Sequence, residues 1–186
     1  GTKSTIKDLA FFRAQGWDVD LKAHLRRGGK VLGICGGYQM LGAEISDPDG
    51  VEGPAGSVAG LGLLDVRTAM VPEKRVTKVE AVHVASGAPV QGYEIHIGAT
   101  EGPDRKRPLF MVNDQPEGAV STDGAIAGTY LHGLFSNDDF RAAWLAQQSA
   151  DPSELAYSAS VEQTLDELAA HIEHYLDLDA LIGMAR

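Results

Sequence analysis

Cysteine is nearly absent from this chain: Cys35 is the only one in 186 residues. One thiol excludes an internal disulfide framework and fits a reducing cytosol, the location expected here. No apolar run reaches the length of a membrane span, and no signal peptide is visible, so no membrane partner is expected. Basic residues are outnumbered, 16 against 26 acidic, for a net charge of −10. A nucleic-acid binder needs a basic face, so that class is excluded as well. Neither a Walker-type phosphate loop nor a dinucleotide-binding glycine pattern occurs, so the chain should not hold ATP in the P-loop manner.

What remains is an ordinary globular composition, with 44% hydrophobic and 23% charged residues and enough length for one domain over 1–186. The first residue is Gly1 rather than methionine, which reads as a piece of something longer. Spacing predicts helices over 4–15 and 18–27, a buried strand at 30–34, and a Gly/Pro/Asp-rich loop over 44–62. Strands are expected at 63–70, 74–84, 90–98, 109–112, 119–122 and 125–131, with loops at 100–108 and 113–118. A helix is expected from 136 to 149, a break at Asp151-Pro152, and a last helix over 160–176 that continues through 178–184. Helices alternating with a buried strand suggest an open α/β sheet, whose functional groups gather at the carboxyl ends of strands.

The chemistry concentrates in Val31-Leu32-Gly33-Ile34-Cys35-Gly36-Gly37-Tyr38-Gln39-Met40-Leu41. A short apolar strand runs into Cys35, two glycines follow, and a helix begins. This is the layout of a nucleophile elbow with cysteine in the serine position. The unpaired N–H groups of the first helical turn favour a thiolate, and the Gly36 N–H could donate to an oxyanion. The bland alternative is a small buried hydrophobe.

A cysteine nucleophile needs a base, usually histidine. Among six histidines, His24, His171 and His174 lie on charged helix faces, and His83 ends a strand without chemical company. His96 and His132 remain. His132 stands at the carboxyl end of a predicted strand, matching the place of Cys35. Glu94 and His96 are two apart on a strand and share one face. With no third ligand at recognisable spacing, no metal site is expected there.

Three stretches now carry a resemblance: Gly33-Ile34-Cys35-Gly36-Gly37-Tyr38-Gln39-Met40-Leu41, Gly92-Tyr93-Glu94-Ile95-His96-Ile97-Gly98 and Gly128-Thr129-Tyr130-Leu131-His132-Gly133-Leu134-Phe135. With Gly1-Thr2-Lys3-Ser4-Thr5, Glu52-Gly53-Pro54-Ala55-Gly56 and Gly60-Leu61-Gly62-Leu63-Leu64, they resemble the glutaminase domain of the cobyric acid / cobyrinic acid a,c-diamide synthase family. That family consists of class I-like glutamine amidotransferases, and the cobyric acid branch is the nearer. The resemblance implies a flavodoxin-like open sheet, mixed parallel and antiparallel, with helices on both faces.

It also implies a glutaminase half-reaction: Cys35 as nucleophile, His132 as base, Gly36 with the Gly1-Thr2 loop around the oxyanion, and the Gln39 side chain helping to hold glutamine. Where most class I amidotransferases carry a glutamate two residues after the histidine, this chain has Leu134. Glu94 or His96 is the expected substitute that orients His132. The implied partners are glutamine, an ATP-dependent synthetase domain of the same polypeptide, and a corrinoid acceptor reached through it. ATP and Mg would belong to that absent domain, with no cofactor in this chain. The upstream domain and the first strands of this one would then lie outside the sequence. Rival readings are a glutaminase serving cobyrinic acid a,c-diamide formation or cell-wall amidation, a cysteine hydrolase of other amides, and a non-catalytic domain that keeps the fold.

Overall fold

A computed structural model describes residues 2–148 and 156–185, the side chains of 73–75 excepted. The chain forms two units, 1–134 and 135–186. Gly1, Ser149 and the expected break at Asp151-Pro152 lie outside the described residues.

The first unit opens with α1 (Thr5–Ala14) and α2 (Trp17–Arg26), separated by Gly16 at φ 74°. Leu9 is the buried anchor of α1, packed with Ile45 and Met70. Strand β1 (Val31–Ile34) ends at Cys35, and the short helix α3 (Gly36–Leu41) follows at once. Tyr38 and Leu41 of α3 join Leu64, Val66, Ala119, Ile126 and Tyr130 in the main apolar cluster.

The span 44–62, expected as loop, contains two strands, β2 (Glu44–Asp47) and β3 (Gly56–Ala59), paired antiparallel. Its Gly/Pro/Asp punctuation falls between them. There the buried Asp47 accepts hydrogen bonds from the N–H groups of Val51 (2.7 Å) and Glu52 (2.9 Å). The strands expected at 63–70 and 74–84 are one long element, β4 (Arg67–His83), whose register with β5 (Pro89–Glu101) shifts between Ala69 and Lys74. A bulge of this kind interrupts the alternation that a sequence pattern relies on. Next come β6 (Phe110–Val112) and β7 (Gln115–Glu117), the latter within an expected loop. Asn113 and Asp114 join them with φ of 48° and 60°, the conformation of a two-residue hairpin turn.

The last strands are β8 (Ala119–Val120), β9 (Ile126–Thr129) and β10 (Leu131–His132). The unit is α/β with mixed parallel and antiparallel pairing. Its strands form two sheets rather than the one expected: β1-β9-β8, and β10-β5-β4-β2-β3 with β6 and β7 attached through β4. Strand β9 runs parallel to β1, whereas β10, one residue further on, pairs antiparallel with β5. The chain therefore changes sheets at Tyr130.

The second unit contains α4 (Asp138–Ala146), α5 (Tyr157–Tyr175) and α6 (Leu178–Met184). The rings of Phe135, Phe140 and Trp144 meet one another in tilted and edge-on contacts. Asp177 caps α6 by accepting from the Ala180 N–H at 3.0 Å. The apolar stripe of α5 is at the surface, with Leu165 51% and Leu168 52% exposed. No helix among the described residues is long and apolar enough to cross a membrane.

Candidate active site

Cys35 sits at the junction of β1 and α3 with φ 57° and ψ −117°, a region that residues with a Cβ rarely adopt. Strain of this kind is what a strand-to-helix elbow imposes on its nucleophile. The surroundings fix it. The Cys35 N–H donates to the Thr129 carbonyl at 2.8 Å, and the Cys35 carbonyl accepts from the Gln39 N–H at 3.2 Å. The thiol donates to the Ile95 carbonyl at 3.4 Å and is partly exposed.

Gly36 and Thr2 are brought together. A Cβ on Gly36 would lie 2.4 Å from Thr2 Cγ2, so the N-terminal segment passes directly over the elbow. The Thr2 hydroxyl donates to the Asp8 carboxylate and accepts from the Ser4 N–H at 3.0 Å. Gly1, assigned with Thr2 to the oxyanion loop, is outside the described residues.

His132 follows the strand beside Cys35 and lies on the other sheet. Ile34 pairs with Thr129 at the end of the β1–β9 ladder, and His132 is three residues beyond Thr129. That is a chain distance of at most about 10 Å. On β5, His132 faces Tyr93, two residues from the Ile95 carbonyl that holds the thiol. A Cβ on Gly92 would be 2.2 Å from the His132 carbonyl oxygen, so only glycine lets β10 lie this close. The ring is half-buried, and its Nε2 is buried without a hydrogen-bond partner among the described residues.

Glu94 and His96 do not take the expected orienting role. Glu94 lies across from Leu131, and His132 across from Tyr93. Neighbours along a strand point to opposite faces, so the Glu94–His96 face is turned away from the His132 ring. The two residues bind each other instead, His96 Nε2 to Glu94 Oε1 at 3.0 Å. The other ring nitrogen, Nδ1, donates to the Gly98 carbonyl at 2.9 Å, and the ring stacks on Tyr130 with centroids 4.0 Å apart.

Gln39 also departs from expectation. It is 3% exposed. Its oxygen accepts from Thr5 Oγ1 at 3.0 Å, and its Nε2 donates to the Ile97 carbonyl (3.0 Å) and the Tyr130 hydroxyl (3.2 Å). With both ends of the amide engaged in the core, Gln39 ties α1, α3, β5 and the strand crossover together rather than facing a ligand.

Residues that the sequence reading missed surround Tyr130. Its hydroxyl bonds Thr100 Oγ1, which in turn bonds Thr68 Oγ1 at 2.7 Å. Glu117 accepts from Thr129 Oγ1 and from the Tyr130 N–H, both at 2.7 Å. Burial pushes its carboxyl up to about 7, against the pull of those two hydrogen bonds. The sequence pattern puts Glu117 in the loop over 113–118, where the only signal is a glutamate before a glycine. Both groups line a cavity of about 540 Å³ with Tyr38, Glu94, His96 and Arg105. Of the remaining histidines, His83 is 1% exposed and bonds Ser86 Oγ through Nδ1 at 2.7 Å, and burial lowers its basicity. His24 bonds the Lys30 carbonyl at 3.0 Å. Among the described residues no group of three or more His, Cys, Asp and Glu is placed to hold a metal ion.

The geometry thus comprises a thiol on a strained strand–helix elbow and, three residues beyond the end of the adjoining strand β9, an imidazole on β10. The chain belongs to the CobB/CobQ-like glutamine amidotransferase family, whose sequence model matches residues 1–140. It is 63% identical over 184 residues to a cobyric acid synthase of Jannaschia sp., covering 99% of this chain and 38% of that protein. Identity to the cobyric acid synthase of Bradyrhizobium diazoefficiens is 59% over 186 residues, covering all of this chain and 39% of the relative. The chain thus spans about two-fifths of the length of these relatives. Among solved structures it is similar to PurLQS of Thermotoga maritima (14% identity, TM-score 0.46, 80% of this chain and 68% of that one). A glutamine amidotransferase of the same organism also matches (15% identity, TM-score 0.46, 89% and 69%).

Proposed function

We propose that this chain is the glutaminase part of a cobyric acid synthase and hydrolyses glutamine through a thioester on Cys35. The observation that carries the reading is the positive-φ Cys35, hydrogen-bonded through its N–H to the strand that two residues later begins β10 and ends in His132. The Cys35 thiolate attacks the side-chain amide carbon of glutamine. Backbone N–H groups at the elbow, Gly36 first among them, hold the oxyanion; such donors are worth about 3–4 kcal/mol each in comparable sites. His132 gives a proton to the departing nitrogen as the tetrahedral species collapses, releasing ammonia and leaving the acyl group on sulfur. It then takes a proton from water attacking the thioester, and glutamate leaves. His132 Nε2, without a hydrogen-bond partner among the described residues, is in keeping with a ring kept available for this traffic.

The ammonia would pass to an ATP-dependent synthetase part of the same polypeptide, where ATP and Mg would reside. Its acceptor would be the carboxylates of a corrinoid such as adenosylcobyrinic acid a,c-diamide. In keeping with this, the named relatives are more than twice as long as this chain. Glutamate release from glutamine is the test, with Cys35→Ala and His132→Ala as the diagnostic variants. Hydrolysis that disappears in both, with selective trapping of Cys35 by a diazoketone analogue of glutamine, supports the reading. Turnover of peptides or esters but not glutamine would replace it with a general cysteine hydrolase.

A further inference from the structure

A strand that leaves one sheet and joins another loses its ladder partners at the crossing, and its buried N–H groups must be satisfied some other way. Here the crossing is at Tyr130, between β9 and β10. Two donors are at stake, the N–H groups of Tyr130 and Leu131. The first goes to Glu117 Oε1 at 2.7 Å. The second goes to Thr129 Oγ1 at 3.0 Å, and that hydroxyl donates its own hydrogen to Glu117 Oε2 at 2.7 Å. A single buried carboxylate, 7% exposed, therefore takes one of these donors directly and anchors the hydroxyl that takes the other.

The crossing also sets the site. Thr129, on its upstream side, supplies the carbonyl that holds the Cys35 N–H at 2.8 Å. His132 stands on its downstream side, on the strand paired with β5. The position of one reactive group relative to the other thus depends on the four-residue segment 129–132, which Glu117 grips at Thr129 and Tyr130. We infer that Glu117 is a positioning residue of the glutaminase site, a staple that fixes the sheet crossover and through it the placement of His132 against Cys35. This rests on the glutaminase reading above. Glu117 acts through the backbone and not on substrate, so its loss lowers turnover and leaves glutamine affinity in place. Its work is to bond this segment and not to carry a charge: a glutamine amide keeps its oxygen for the Tyr130 N–H and can donate its NH2 to a lone pair of Thr129 Oγ1, so glutamine in its place largely restores it.

The experiment compares wild type, Glu117→Ala, Glu117→Gln and Thr129→Val in the full-length polypeptide. Readouts are kcat and KM for glutamine hydrolysis, and melting temperature as a check on folding. Glu117→Ala should lower kcat about 100-fold with KM within about twofold. Glu117→Gln should recover kcat to within about fivefold, and Thr129→Val should lose about tenfold. Should Glu117→Ala not fold, Thr129→Val carries the test. Wild-type kcat in a folded Glu117→Ala or Thr129→Val overturns the staple, as does a loss that Glu117→Gln shares in full, which marks a charge or proton-transfer role. A wild-type enzyme that does not hydrolyse glutamine defeats the functional reading instead. In that case the staple is judged by the pH profile of Cys35 alkylation with iodoacetamide. A profile displaced in Glu117→Ala and restored in Glu117→Gln supports it, and superimposable profiles overturn it.

Discussion

Glu94 and Glu117 are the same residue type, each 7% exposed, lining the same cavity. They nevertheless do different things, because their neighbours differ. Glu94 is given an imidazole, His96, on its own strand face. Glu117 is given two neutral donors that belong to the strand crossover beside Cys35. The first makes a local polar pair that stacks on Tyr130; the second holds backbone. Burial alone therefore does not say what a carboxylate is for, and the partner's place in the topology does. The pleat adds to this: Glu94 was the expected orienting group for His132, yet the pairing of β5 with β10 puts the two on opposite faces.

The contrast can be broken most sharply where β10 meets β5. Gly92→Ala puts a methyl 2.2 Å from the His132 carbonyl, so the strand must shift. Glutamine turnover should fall by about 100-fold or more, while far-UV circular dichroism shows the fold retained.

A second measurement isolates Glu117 by its titration. Its carboxyl is raised from 4.5 to about 7 in the fold, so the native state binds a proton that the unfolded state releases earlier. The stabilisation is full below about pH 4.5 and is lost as pH rises through 7, a change of about 3 kcal/mol. Urea denaturation of wild type across that window should show this decline, superimposed on other groups. The difference between wild type and Glu117→Gln should isolate it.

Tyr130→Phe sharpens the comparison from the side shared by both glutamates. Removing the hydroxyl takes one partner from Gln39 Nε2, which keeps the Ile97 carbonyl, and one from Thr100 Oγ1, which keeps Thr68 Oγ1. A loss of about 1–3 kcal/mol in denaturant stability is expected, with a smaller change in KM. The smallest effect belongs to Glu94→Gln, whose amide can still bond His96. Stability should drop by about 1 kcal/mol at most, and glutamine hydrolysis should stay within about threefold of wild type. A large loss of turnover there would return Glu94 to the orienting role.

Local patterning made the elbow legible. A four-residue apolar run, one cysteine and two glycines have few alternatives, and the structure puts the strand, bend and helix where that pattern indicates. The long antiparallel hairpin was read in pieces because its bulge near Ala69 breaks the alternation on which strand reading depends. Strands β2, β3 and β7 were missed because edge and hairpin strands of three or four residues carry turn-forming residues that mask them. The Gln39 side chain was read as facing substrate because sequence shows spacing but not the direction in which a buried amide finds its partners.

The sequence by itself determined the local chemistry: a lone thiol at a strand–helix bend, a histidine at the end of a later strand, and an acidic chain without a phosphate loop. These follow from short-range rules, in which neighbours along the chain restrict one another. The tertiary structure decided which groups meet. The change of sheets at Tyr130, the Glu117 clamp and the opposite facing of Glu94 and His132 all depend on strand register. Register is set by pairings between residues dozens of positions apart, and the energy of closing such loops is not written in any one segment.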